Sequence, residues 1–262
     1  MRTNDLREAA IVVAHPGHEL MIHHWMELKT PSYYCVTDGS GGDDQPRIDS
    51  TSRLLHGLGA AQGAIYGRYS DKQVYRFLLE GCVDIFLALR DELAESLIDT
   101  GVAYIAGDAM EGFNPVHDLC RGLIDGAVAR IRTLTGRELQ NYEFIVEPAR
   151  HAASTHSQEF TVRLVLDDAA LERKITAAMA YPEMQSEVQA SLDRFGPRAF
   201  AIESLRPSSL PMMLEQFEQT PPSYESFGQS RVREGRYREV IRHRAHVLPV
   251  FEALGIAVAA TR

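Results

Sequence analysis

Two histidines, His15 and His18, follow directly on the apolar run Ile11-Val12-Val13. Imidazole is the side chain best suited to holding zinc at neutral pH. Pro16, between the two, fits the start of a helix, and Gly17 lets the backbone turn sharply or a ligand come close. A third imidazole, His117, stands near the end of Gly107-Asp108-Ala109-Met110-Glu111-Gly112-Phe113-Asn114-Pro115-Val116-His117-Asp118. Three imidazoles with one open position form a ligand set that suits hydrolytic zinc. Asp118 or Asp108 is placed to orient a ligand from behind. The pair is weakly specific by itself: one histidine can cap a helix while the other lies at the surface. His117 can equally be an ordinary residue of a first helical turn.

These residues meet only if strands deliver them to one edge. Residues 9–14 read as a buried strand, 17–28 as a helix, and Pro31 to Thr37 as a second strand rich in aromatic and β-branched residues. Asp38 to Asp44 reads as a loop, followed by a helix over 49–60. A helix over 83–98, a strand from Val102 to Ala106, a helix near 116–134 and a strand from Tyr142 to Val146 follow. The second half is less regular. Phe160 to Leu166 alternates like a strand, Asp167-Asp168 can cap a helix over 169–180, and 186–194 looks helical. Pro207 to Pro222 reads as loop, and 229–254 as a helix pattern ending near Pro249. The alternation implies an α/β fold, a mostly parallel sheet with helices on both faces. Its strands end at one common edge, where ligands gather. Asp38 reaches that edge too, to bind a substrate hydroxyl, act as a base, or cap its own loop. Neither a P-loop nor a dinucleotide fingerprint is present. One domain over 1–262 is expected, with 200–262 as an extension covering the site.

Composition narrows the partners. The 262 residues carry a net charge of -9, which argues against nucleic acid. No stretch approaches a membrane span, and no apolar segment follows the N-terminus as in a signal peptide. Cys35, Cys82 and Cys120 lack CxxC spacing and suit a reducing, cytoplasmic setting. A small-molecule substrate is expected, and a homo-oligomer is left open. The basic stretch from Arg231 to Arg244 is read as a solvated helix face. His23 and His24 are read as surface or partly buried groups, His243 and His246 as surface groups unless the tail folds over the crevice and brings one of them in, and His151 and His156 as polar-loop residues whose approach to the site is left open.

Ala14-His15-Pro16-Gly17-His18-Glu19 resembles the AHPDDE motif of the PIG-L/LmbE-like zinc deacetylases, matching at Ala14, His15, Pro16 and Glu19. Thr37-Asp38-Gly39 resembles that family's TDG-type loop. Asn114-Pro115-Val116-His117 resembles its late HPDH-like motif at Pro115 and His117. The likeness runs in order over roughly residues 9–190 and implies a Rossmann-like fold that removes N-acyl groups, mostly from glucosamine-containing substrates. It implies that His15, His18 and His117 are the ligands of Zn2+, with His18 standing where the family has a carboxylate. Gly17 stands at the family's general base, and Asn114 at its catalytic histidine, where it can donate to an oxyanion. Glu19, Asp38 and Asp118 are candidate replacement bases. Asp38 is favoured, with Glu19 and Asp118 assigned to substrate. The expected activity is a divergent zinc-dependent amide hydrolase acting on an N-acylated sugar or related metabolite. The alternatives are a non-catalytic sugar- or metabolite-binding protein on the same fold, and a metal-free α/β protein.

Overall fold

A computed structural model describes residues 8–41, 44–154 and 161–256. The first apolar run forms β1 (Ala9–Val13), buried at every position. A strand covered on both faces reads as continuous apolar sequence rather than alternation. A 3-10 turn (His18–Ile22), α1 (His23–Lys29), β2 (Ser32–Thr37) and α2 (Ile48–Leu58) follow. Then come β3 (Ala61–Tyr69), α3 (Asp71–Leu79), α4 (Val83–Thr100), β4 (Tyr104–Asp108), α5 (Pro115–Thr135) and β5 (Gln140–Phe144). The second half adds α6 (Pro148–Ser154), β6 (Val162–Val165), α7 (Asp168–Met179), α8 (Gln185–Phe195) and β7 (Ile202–Pro207). The last helices are α9 (Leu210–Gln219), α10 (Ser223–Arg233) and α11 (Leu248–Ala253).

The strands form one sheet in the order β3-β2-β1-β4-β5-β7-β6. The pairs β1–β2, β1–β4, β2–β3 and β4–β5 are parallel. β7 runs antiparallel to β5 and β6. This is the expected mostly parallel α/β sheet. Alternate residues of β1 feed two cores. Ala10 and Val12 join Leu93 of α4, Leu123 of α5 and Phe251 of α11. Ile11 and Val13 join Trp25 and Met26 of α1 and Leu55 of α2. Helices therefore cover both faces. β1 lies between β2 and β4 with Val13 opposite Cys35 and Val12 opposite Gly107. The carboxyl ends of all three strands thus reach one edge together.

Several elements depart from expectation. The helix over 17–28 is a 3-10 turn and then a short α1, because Ile22 leaves the helical region (φ -125°, ψ 38°). Residues 61–79 supply β3 and α3, neither anticipated. Gly63 and Gly67 interrupt the apolar pattern of β3. The stretch from Pro207 to Pro222 contains α9: Pro211 falls in its first turn, where a missing N–H costs nothing. The helix pattern over 229–254 is broken after Arg233 by Gly235 at φ 71°. Pro249 begins α11 rather than ending a helix. Finally, β7 lies inside the sheet, so the segment expected to be an extension contributes a strand. No helix among the described residues is long and apolar enough to cross a membrane.

Candidate metal centre

Beyond Val13 the chain turns at the edge of the sheet. Gly17 adopts φ 104°, a left-handed conformation that side chains resist. Glu19 holds this turn. Its Oε2 accepts the Gly17 N–H at 2.8 Å and the Tyr33 hydroxyl at 2.9 Å. Its Oε1 accepts the hydroxyls of Thr51 at 2.9 Å and Tyr181 at 2.7 Å. The carboxylate is fully buried, and these donors offset its lost hydration. Glu19, expected at the substrate, ties the turn to β2, α2 and the connection after α7.

His117 sits in the first turn of α5. Asn114 caps that helix, its Oδ1 accepting the Val116 N–H at 2.8 Å. It also accepts the Tyr75 hydroxyl at 3.4 Å. Asp118 Oδ1 accepts the N–H groups of Glu111 and Gly112, each at 3.1 Å. Asp118 too is fully buried, and through Oδ1 it fixes the loop before α5, while its Oδ2 is buried with no hydrogen-bond partner among the described residues.

The rings of His15, His18 and His117 come together at one place. Their centroids are 5.1, 5.0 and 4.4 Å apart, and one ring nitrogen from each lies within 4.8 Å of the others. Two of the rings are oriented from behind. His15 Nδ1 faces Asp71 Oδ1 at 2.7 Å and Thr37 Oγ1 at 2.8 Å. His18 Nδ1 faces Asp108 Oδ2 at 2.8 Å. A carboxylate on Nδ1 keeps the proton there and leaves the Nε2 lone pair to a metal. His15 Nε2 and His117 Nδ1 are buried with no hydrogen-bond partner among the described residues. Such orphaned atoms are costly and rare, and a cation would satisfy both. Burial, reinforced by His18 and His15, pushes the His117 imidazole well below its ordinary value. It is thus neutral, as a ligand must be. The donor set and its orphaned nitrogens fit a zinc-like ion.

Asp71 was not foreseen. It opens α3 and also accepts the Gly41 N–H at 2.5 Å, tying His15 to the glycine-rich loop. Burial alone would raise its carboxyl, but His15, Gly41 and Thr37 outweigh that and hold it below the usual carboxylate range. The capping box of Ser70 and Gln73 marks where its helix begins, yet nothing local announces the contact with His15. Asp38 is half-buried at the end of β2, and its Oδ1 accepts the Ser40 N–H at 2.9 Å.

The remaining candidates lie elsewhere. His23 and His243 are buried rather than at the surface, and His243 meets the Tyr224 hydroxyl at 3.2 Å. His246 Nδ1 accepts the Arg242 N–H at 2.9 Å. His151 is buried in α6 and stacks on Phe200. His156 lies outside the described residues. Burial pushes the Cys35 and Cys120 thiols up, which makes poor nucleophiles of both. At Gly17, where the resemblance puts a base, an added Cβ would run into the Met184 thioether.

No protein-family model and no curated protein matches this chain. Solved structures do. The A40926 pseudoaglycone deacetylase Dbv21 aligns with a TM-score of 0.51 at 17% identity, over 78% of this chain and 97% of that one. A deacetylase–bog complex from the teicoplanin biosynthesis pathway gives 0.51 at 12%, over 77% and 99%. A deacetylase triple mutant involved in the teicoplanin pathway gives 0.50 at 15%, over 76% and 97%. The chain therefore shares the LmbE-like deacetylase fold.

Proposed function

We propose that this protein is a divergent metal-dependent amide hydrolase, with zinc as its metal, acting on an N-acylated sugar or related small metabolite. The observation that carries the reading is the buried cluster of His15, His18 and His117, with two nitrogens that have no partner among the described residues. It sits at the strand edge of a fold shared with deacetylases.

His15, His18 and His117 would hold the ion. When bound, zinc supplies Lewis-acid polarisation of the acyl oxygen and activation of water near neutral pH. Asp71 and Asp108 keep protons on the Nδ1 atoms of His15 and His18 and so fix which nitrogen faces inward. Asn114 gives its Oδ1 to the helix N-terminus, which leaves its amide N–H to donate to a developing oxyanion. Asp38, adjacent to the His15 contact Thr37, is assigned as proton acceptor. Losing a positioned base commonly costs ~100-fold to 10,000-fold in rate, so turnover is expected to be slow. The net charge of -9 weighs against nucleic acid as substrate. The free cysteines suit a cytoplasmic setting.

Gly17, with Met184 packed on it, favours a second reading: a sugar- or metabolite-binding protein on the same fold. Elemental analysis and an acetate-release assay with N-acetyl sugars separate the two. The hydrolase reading expects zinc that His15→Ala removes, and acetate release that Asp38→Asn slows. Zinc without product favours the binder, and absence of metal removes both.

A further inference from the structure

Phe113 stands in the loop from β4 into α5, and its ring centre lies 6.4 Å from that of His117. Its side chain is 54% exposed. Single exposed apolar residues are ordinary, but this one is held outward. Glu111 and Gly112 donate to Asp118 Oδ1, each at 3.1 Å. The Gly112 carbonyl accepts the Tyr224 N–H at 3.1 Å and the Ser223 hydroxyl at 2.7 Å. Gly112 has φ 64°, and a Cβ there would collide with Phe217 and Pro222. On the other side, Asn114 is fixed as the cap of α5. A backbone clamped before and after Phe113 therefore presents a phenyl ring to solvent beside the imidazole cluster.

A second apolar group, from a different element, packs on the turn that carries His15 and His18. Met184, half-buried at the start of α8, lays its thioether on Gly17, between His15 and His18 in the chain. Methionine is flexible and fills irregular apolar gaps. Neither side chain offers a strong hydrogen-bonding group to a sugar hydroxyl.

We propose that Phe113 and Met184 form a subsite for an apolar acyl group longer than acetyl, with Phe113 as the specificity-determining residue. This rests on the acyl-hydrolase reading and deepens it. With an amide carbonyl at the three histidines, the Phe113 ring, 6.4 Å from the His117 ring, is within reach of the acyl substituent. Each methylene laid on that ring removes apolar surface from water on both partners.

The test is calorimetric titration of the zinc-loaded, full-length protein with acetohydroxamate and octanohydroxamate, which bind metal through the same head group. The longer probe is expected to bind at least ~10-fold tighter. Phe113→Ala lowers that preference by about tenfold, and Phe113→Leu retains most of it. Leu134→Ala controls for non-specific adhesion: Leu134 is 52% exposed but lies in the last turn of α5, ~30 Å away. That variant leaves the preference unchanged. Zinc content is measured on every variant. Acetohydroxamate binding with no preference for the longer chain overturns the subsite alone, as does a preference that survives Phe113→Ala. Failure of both probes on zinc-loaded protein, or failure to load zinc, overturns the acyl-hydrolase reading and the subsite with it.

Discussion

Replacing Asp71 and Asp108 should weaken metal binding by unequal amounts, and the hydrogen bonds set the order. His15 Nδ1 hydrogen-bonds Thr37 Oγ1 at 2.8 Å, and Asp71 Oδ1 lies 2.7 Å from it as an ion-pair partner outside hydrogen-bond geometry. The Thr37 hydroxyl donates to the Ala14 carbonyl at 3.1 Å, so its oxygen can take the imidazole N–H alone. Asp71→Asn thus exchanges a charged contact, about 1.5–3 kcal/mol net, for the neutral hydrogen bond to Thr37 of about 0.5–1.5 kcal/mol. The difference of about 1–1.5 kcal/mol is roughly a five- to tenfold loss of affinity. Asp108 carries more. Its Oδ2 accepts both His18 Nδ1 and the Ala14 N–H, each at 2.8 Å. An amide in its place keeps no negative charge behind His18, and the loss approaches ~100-fold. The assay is competition for zinc against a colorimetric chelator, with His15→Ala as the baseline for a broken site. Asp71→Asn binding within about twofold of wild type, or losing more than Asp108→Asn, would refute the reasoning.

Three further outcomes follow from the same contacts. Glu19→Ala leaves the Gly17 N–H and the Tyr33 and Thr51 hydroxyls unpaired in a buried place, while the Tyr181 hydroxyl keeps Thr51 Oγ1 at 3.2 Å. It should cost ~3–5 kcal/mol and lower Tm by ~10 °C in a thermal melt; a shift of a degree or two contradicts the structural role. Gly17→Asp introduces a side chain at φ 104° and against Met184. It should lose ~1–3 kcal/mol of stability, partly recovered in a double variant with Met184→Ala; an unperturbed single variant would contradict this. Stability of the metal-free protein should rise with pH between ~4 and ~6.5. Burial pushes His151 and His243 down to about 4 and lowers His23 and His117 as well. In that window the unfolded chain holds protons that the folded chain lacks, so acid favours unfolding. Glu111 and Asp118, pushed up by burial to about 7, act in the opposite sense but are fewer. His243→Phe should reduce the slope of Tm against pH, and a Tm that falls across the window counters the sign.

Local signals were enough for much of the frame. β1, β2, α2 and α5 lie within one or two residues of their expected limits, because apolar periodicity and capping act between chain neighbours. The same is true of Asp167, whose side chain caps α7 through the Ala170 N–H at 2.8 Å. Strand β4 came out two residues late, and that shift matters: it makes Asp108 the last strand residue, level with the turn that carries His18.

By itself the chain's order of residues determined a parallel α/β frame and named three histidines, two just after β1 and one in the first turn of α5, as partners at one edge. Only the assembled tertiary structure decided which carboxylates serve them. Asp71 meets His15 across the helix that follows β3, a strand whose glycines hid it. Glu19, written beside the histidines, turns inward to donors from β2, α2 and the connection after α7. Met184 covers Gly17 from the far end of the α7–α8 connection. Helix and strand propensities are set over a few neighbouring residues. The pairing of a buried donor with its acceptor depends on strand order and register, which exist only once distant segments have packed.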